Sequence, residues 1–250
     1  MTGDRVIEGL NVCKYFGGVR ALNNVNFSIE EGEIVGLIGP NGSGKTTLFN
    51  VITGVLKPTK GEIKYKGEKI SGLAPHKISK MGIARTYQIV RCFSGLSVLD
   101  NVAVGALYGK NKKMGVNEAK KKAKEILIDK LNFSEDKLNF LAEDLNLVEK
   151  KLIELGRAMA QSPDLLLIDE LLAGLNPKEK EDVVDILKRL NKEDGITLFV
   201  IEHDIKSIVN LSDRIIVLNF GEKIAEGTPE AIVKDPAVIE AYLGESNASG

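Results

Sequence analysis

The chain has no tryptophan among its 250 residues, two cysteines, seven prolines and an aromatic content of 5%. Cys13 and Cys92 stand far apart, without metal-ligand spacing. That excludes a disulfide framework or a cysteine-rich zinc site and fits a reducing cytosol. Charge of one sign is also missing. The 34 basic and 35 acidic residues leave a net charge of −1, so no global field draws the chain to nucleic acid or anionic lipid. No apolar run approaches the roughly 18 residues of a membrane span, and the opening residues do not read as a signal peptide. Internal repeats and low-complexity linkers are absent as well. What remains is an ordinary globular composition, 43% hydrophobic and 28% charged with 25 glycines. A chain this long buries about 72% of its unfolded surface and needs no staple. The expectation is a soluble intracellular protein with one sizeable domain, or a core carrying one insertion.

Short apolar runs and turn residues set out the elements. Val6–Leu10 and Val25–Glu30 read as strands, with a turn at Gly17-Gly18 between them. Glu33–Ile38 has the continuous apolar character of a strand buried on both faces. Gly61–Tyr65 and Glu68–Ile70 form a hairpin around Lys66-Gly67. From Ala74 to about Lys137 the pattern turns helical, with Ala119, Ala123, Ile126, Leu127 and Leu131 on one face. A helix over Leu147–Ala160, a buried strand over Asp164–Asp169 and an amphipathic helix through Val183, Ile186, Leu187 and Leu190 follow. Thr197–Ile201 and Arg214–Leu218 complete the strands. Strands alternating with helical crossovers predict an α/β fold built on a mainly parallel sheet. An antiparallel β subdomain comes from the opening strands. A helical insert of about 88–160 interrupts the series, and residues 245–250 read as a small, polar, frayed tail.

Gly39-Pro40-Asn41-Gly42-Ser43-Gly44-Lys45-Thr46 matches the phosphate-binding loop G-x-x-x-x-G-K-[ST]. It follows a predicted strand and opens a helix at Lys45, Thr46 and Thr47. Such a loop needs residues without Cβ atoms where main-chain N–H groups must converge on phosphate oxygens. The helix N-terminus adds its positive dipole end, Lys45 a point charge, and Thr46 a hydroxyl able to ligate Mg²⁺. The apolar run Leu165–Ile168 ends in Asp169-Glu170. That places Asp169 to serve the Mg²⁺ shell and Glu170 to polarise an attacking water, because ligands bind beyond the carboxyl ends of parallel strands.

With these motifs the sequence resembles the ATP-binding-cassette ATPases over nearly its whole length, from about Val6 to Leu243. Ala84-Arg-Thr-Tyr-Gln88 resembles the glutamine loop, whose glutamine contacts metal and attacking water and senses a transmembrane partner. Ala173-Gly-Leu-Asn176 stands at the D-loop. Val200-Ile-Glu-His203-Asp204 resembles the switch segment, whose histidine contacts the γ-phosphate. Lys14-Tyr-Phe16-Gly17 resembles the loop whose aromatic ring stacks on adenine. The resemblance implies a P-loop nucleoside-triphosphatase fold that binds ATP with Mg²⁺. The hydrolytic residues are then Glu170, His203, Gln88 and Lys45. The nucleotide is held by Phe16, by residues 39–47 including Thr47, and by Asn146 and Asn176. The metal falls to Thr46, Gln88 and Asp169.

Gly82-Ile-Ala-Arg-Thr-Tyr-Gln88, Leu96-Ser-Val-Leu-Asp-Asn-Val102, Ala225-Glu-Gly227 and Asp235-Pro-Ala-Val are similar to the cassette subunits of branched-chain amino acid importers. They also resemble the cassette of lipopolysaccharide export. Membership implies transmembrane permease partners docked near apolar residues around Val90–Leu99. It also implies a homodimer or a heterodimer with a second cassette, and a cytoplasmic location at the inner face of the membrane. A nucleic-acid-linked ATPase and a weakly hydrolysing nucleotide switch are the alternatives from other classes. The lysines from Lys110 to Lys124 read as a solvated helix face rather than a nucleic-acid contact, because acids and helical spacing accompany them.

The departure from the family lies at the signature motif, Leu-Ser-Gly-Gly-Gln, where this chain has Leu145-Asn-Leu-Val-Glu149. Asn146 is a good N-cap with Glu149 three residues on, as in a capping box. Leu147 and Val148 put side chains where glycine gives clearance. Glu149 brings negative charge towards phosphate unless its carboxylate folds back on the cap. Leu171 replaces the proline that follows the glutamate in the family.

Overall fold

Residues 4–110 and 114–248 are described in the computed structural model. In chain order the elements begin with β1 (Arg5–Phe16), β2 (Val19–Glu30), β3 (Ile34–Ile38), α1 (Lys45–Ile52), β4 (Lys60–Tyr65), β5 (Glu68–Lys69), α2 (Pro75–Met81) and β6 (Ile83–Arg85). Then come α3 (Val98–Tyr108), α4 (Val116–Glu125), α5 (Leu147–Ala160), β7 (Leu165–Asp169), α6 (Pro177–Asp194) and β8 (Thr197–Ile201). The chain closes with α7 (Ile205–Leu211), β9 (Arg214–Asn219), β10 (Glu222–Gly227), α8 (Pro229–Ile232) and α9 (Pro236–Ala248). The chain falls into two compact units. One runs up to Pro75 and resumes at Thr197; the other is His76–Ile196.

The first unit holds two layers of strands. An antiparallel sheet has the order β2-β1-β4-β5. In the other layer β3 pairs in parallel with β8 on one side and β9 on the other, and β10 closes antiparallel on β9. All five residues of β3 and of β8 are buried, which explains their unbroken apolar sequences. Phe199 of β8 packs against Phe27 of β2 at 6.0 Å and Phe49 of α1 at 5.1 Å, centroid to centroid. This aromatic cluster seats the first helix on the sheet.

The second unit carries the helices α3, α4 and α5 and the parallel pair β6–β7. At Gly105 on α3 a Cβ would lie 2.1 Å from the Arg157 carbonyl oxygen, so α3 and α5 approach at glycine separation. Asn101, fully buried, ties down the loop before α3. Its amide donates to the carbonyls of Phe93, Leu96 and Ser97, and its oxygen accepts from the Phe93 N–H at 2.8 Å. Val116–Glu125 is regular, and the chain then widens into a π turn over Ile126–Lys130.

Several expectations change. The stretch from Ala74 to Lys137 is not wholly helical, because β6 interrupts it; three residues show no period, and only the ladder to β7 makes them a strand. β1 and β2 each run 12 residues. Register shifts along their pairing break the alternation that a sequence reading depends on. β10 is a mainly polar strand revealed by its pairing with β9 rather than by an apolar run. The backbone of 245–248 belongs to α9, which runs past Gly244 to Ala248; residues 249 and 250, the rest of the expected tail, lie outside the described residues.

Candidate functional site

In the first unit the buried strand β3 delivers Gly39 to a turn and α1 starts at Lys45, so residues 39–44 wrap the N-terminus of a helix. Gly44 occupies the cap position with φ 107°, and a Cβ there would stand 2.5 Å from the Ala21 carbonyl oxygen. Only glycine serves at that point. Gly42 also has a positive φ, 75°, but a Cβ there would enter open space. Asn41, Gly42 and Thr46 are exposed, Thr47 is half-buried, and Pro40, Ser43 and Lys45 are buried. The Lys45 ammonium donates to the carbonyls of Gly39 at 2.7 Å and Pro40 at 2.9 Å, keeping the charge against the loop it serves. The hydroxyl oxygen of Ser43 is buried without a hydrogen-bond partner among the described residues. The loop is braced from both sides of the unit. The Gly221 N–H donates to the Ser43 carbonyl at 3.0 Å, and the Gly39 N–H donates to the Tyr242 hydroxyl at 2.9 Å.

His203 is exposed between β8 and α7, just before Asp204, whose carboxylate caps α7 through the Ser207 N–H. Phe16 ends β1 with 47% of its surface exposed, and the Lys14 ammonium lies 5.1 Å from its ring centroid. An aromatic face left open beside a turn suits stacking more than core packing.

In the second unit β7 carries Asp169 and Glu170 to the end of a fully buried strand. The Gln88 amide donates to the Glu170 carboxylate at 2.8 Å, bringing together two residues 82 positions apart. Glu170 has φ 53°, a left-handed conformation that costs a branched or long side chain of order 1–3 kcal/mol and has to be held by its surroundings. Asp169 is buried; its Oδ2 accepts from Arg85 at 2.6 Å, and its N–H donates to the Thr86 hydroxyl at 3.2 Å.

Asn146 and Asn176 each act as helix caps. The Asn146 amide oxygen accepts from the Glu149 N–H at 2.9 Å, and the Glu149 carboxylate accepts from the Asn146 N–H at 3.1 Å. Glu149 therefore does fold back, and its other oxygen is 2.6 Å from Lys137. Asn176 and Glu179 repeat the arrangement at the start of α6, with Pro177 in the first turn. Leu147, next to the first cap, is 45% exposed.

Arg85, Thr86, Lys151 and Glu154 were missed by the sequence reading. Lys151 and Glu154 recur with Ala158 at helical spacing on a second buried side of α5. That three-then-four spacing was the available signal, hidden because two of the three residues are charged. Glu154 accepts the Tyr87 N–H at 3.0 Å and so anchors the segment that carries Gln88. Burial raises its carboxyl above the usual range, against the lowering effect of that hydrogen bond and of Arg157, Lys151 and Arg91. Four described lysines of the basic run have partners: Lys110 meets Asp164, Lys120 meets Asp100, Lys122 meets the Ala160 carbonyl and Lys124 meets Glu135.

Comparison with known proteins fits this arrangement. The family model described as ABC transporter matches residues 22–173, more than half of the chain. The chain belongs to the ATP-binding-cassette (ABC) transporter family. A second family model, described as branched-chain amino acid ATP-binding cassette transporter, matches residues 222–248 of the cassette. The cassette is 39% identical to the high-affinity branched-chain amino acid transport ATP-binding protein BraF of Pseudomonas aeruginosa, over 96% of this chain and 98% of that one. It is also 39% identical to LivG of Escherichia coli, described in the same words, over 92% and 94%. The crystal structure of a nucleotide-free ATP-binding cassette from an ABC transporter superposes with a TM-score of 0.86 at 32% identity, covering 95% of this chain and 98% of that one. A dimeric cassette in a post-hydrolysis state, bound to ADP and Pi, gives 0.81 at 33% identity over 89% and 98%. The fold is that of the ABC ATPases, and the cassette is an ATPase by membership.

Proposed function

We propose that the cassette is the ATP-hydrolysing subunit of an importer for branched-chain amino acids or closely related solutes. The observation that carries the reading is the hydrogen bond from Gln88 to Glu170. It joins the carboxylate suited to activate water with a loop whose next residues are apolar and open. Ile89 is 75% exposed, Phe93 48% and Leu96 36%, and Asn101 holds this loop in shape. Such a surface suits contact with a permease, and it supports the glutamine loop as the link between permease movement and hydrolysis. The relatives' branched-chain transport supports the solute class. Among the described residues no helix is long and apolar enough to cross a membrane, so other chains would form the translocation path. Attachment to the inner face of the membrane would then come through those permeases, and the dimeric neighbour supports pairing with a second cassette.

The residues present fit a MgATP substrate. Each unit by itself offers hard oxygen donors of the kind Mg²⁺ favours, the Thr46 hydroxyl in the first and the Asp169 carboxylate and Gln88 amide in the second, and the buried Ser43 hydroxyl and open side of Gly42 suit a phosphate at the loop. Bound Mg²⁺ supplies neutralisation of the β- and γ-phosphate charge. The main-chain amides at the start of α1 and the Lys45 ammonium bind the phosphates; Lys45 exchanges its loop carbonyls for phosphate oxygens. Phe16 stacks on adenine. Glu170 takes up a proton from the attacking water while Gln88 orients it, and His203 donates to the γ-phosphate as charge develops there.

Glu170→Gln tests the reading, because glutamine can still accept the Gln88 hydrogen bond but cannot accept a proton. Phosphate release should fall about 10²–10⁴-fold while calorimetric ATP binding persists. Turnover at the wild-type rate would remove Glu170 from its role. ATP-dependent uptake of leucine or isoleucine into vesicles holding the cassette and its permeases tests the solute class.

A further inference from the structure

Lys151 lies on α5, five residues after the cap Asn146, and is 4% exposed. Its ammonium does not reach solvent. It donates to the carbonyls of Glu170 at 3.3 Å, Leu171 at 2.6 Å and Ala173 at 2.6 Å. These are three of the four carbonyls in the turn that leaves β7 at Glu170. An ammonium with three donors suits this convergence, because carbonyl oxygens gathered on one side of a turn repel one another unless a cation lies between them. The turn begins with Glu170 in its left-handed conformation, and Leu171 lacks the fixed φ of the proline found there in the family. The turn therefore takes its rigidity from a side chain on a different helix.

We propose that Lys151 is a positioning residue for the hydrolytic carboxylate, tying the Glu170 backbone to the helix that starts at the divergent signature segment. The consequence is mechanical. α5 begins at Asn146, and any shift of that helix is carried through one ammonium to the main chain of Glu170, and so to the carboxylate that Gln88 holds. Glu154, three residues on, anchors the Gln88 segment to the same helix. Both arms of the Gln88–Glu170 pair thus hang from α5, and signature contact and hydrolysis are coupled inside one chain. This inference rests on the hydrolytic role proposed for Glu170.

The test uses the full chain with Lys151→Met, Lys151→Gln and Lys151→Arg. Displacing a reacting group by about 1 Å costs on the order of 10²-fold in rate. Lys151→Met should therefore lower kcat for ATP by about that factor, with KM for ATP within about threefold of wild type. Lys151→Arg should restore most of the rate, since it still donates to carbonyls. In nucleotide-free protein, amide exchange over residues 171–175 should accelerate in Lys151→Met and return to wild type in Lys151→Arg. If Lys151→Met does not fold, Lys151→Gln against Lys151→Arg decides by the same readouts. A wild-type kcat in Lys151→Met or Lys151→Gln overturns the proposal, as does a loss that appears in KM alone or that Lys151→Arg does not relieve. Failure of the underlying reading is separable: Glu170→Gln would then turn over like wild type, while the exchange measurement would still report on the clamp.

Discussion

The segment Leu145–Glu149 is where this cassette departs most from its family, and its cap can be measured. Asn146→Ala removes one hydrogen bond, from the Glu149 N–H at 2.9 Å, and leaves the reciprocal carboxylate contact without its partner half. Loss of an N-cap amide costs about 1 kcal/mol, within a range of about 0.5–2. In a chain of this size 1 kcal/mol corresponds to a shift in Tm of about 2–4 °C. Asn146→Ser restores the residue the family carries and caps equally well, so it should unfold within about 1 °C of wild type. Thermal unfolding of the two variants, with Glu149→Ala and the double variant to complete a cycle, isolates the box. Coupling between Asn146 and Glu149 should be at least about 0.5 kcal/mol, because the two side chains satisfy each other's main chain. Full additivity, or an Asn146→Ala protein that melts at the wild-type temperature, would refute the capping account of this segment.

Two other outcomes follow from the same reasoning. Gly42→Ala and Gly44→Ala both place a side chain at positive φ, but only the second drives its Cβ into the main chain, at the Ala21 carbonyl. Gly44→Ala should lose more stability in thermal unfolding, whereas Gly42→Ala should mainly weaken ATP binding in calorimetry; equal effects of the two in both assays would count against the cradle. For Glu154 the sign runs through burial, which raises its carboxyl in the folded chain above the value near 4.3 of an unfolded one. The fold then binds the proton more tightly, and its stability contribution is lost as pH rises through the raised value. Glu154→Gln keeps an oxygen for the Tyr87 N–H and removes the buried charge. Its stability relative to wild type should grow from pH 4 to pH 8 in urea unfolding, and parallel pH profiles for the two proteins would refute this.

Much of the cassette could be read from residues close in sequence. The phosphate loop is one continuous run whose glycines, lysine and helix start are local requirements. β3, β7 and β8 announce themselves because both faces of each are buried, and α5 begins at Asn146 because its cap and Glu149 are three residues apart. β6 and β10 were hidden, since a three-residue strand and a mainly polar one owe their existence to the neighbours they pair with. The same limit hid half of the chemistry of the second unit.

Residue type and short spacing alone picked out the candidate phosphate loop at residues 39–46 and the carboxylates that close β7, because backbone amides at a helix start and a carboxylate at a strand end depend on local geometry. The tertiary structure decided what each carboxylate meets. Arg85 and Asp169 are 84 positions apart, Gln88 and Glu170 are 82, and Lys151 reaches the carbonyl of Glu170 across 19. A charged side chain on a helix reads as solvated until packing buries it, and only then must it find the oxygen atoms that satisfy its charge.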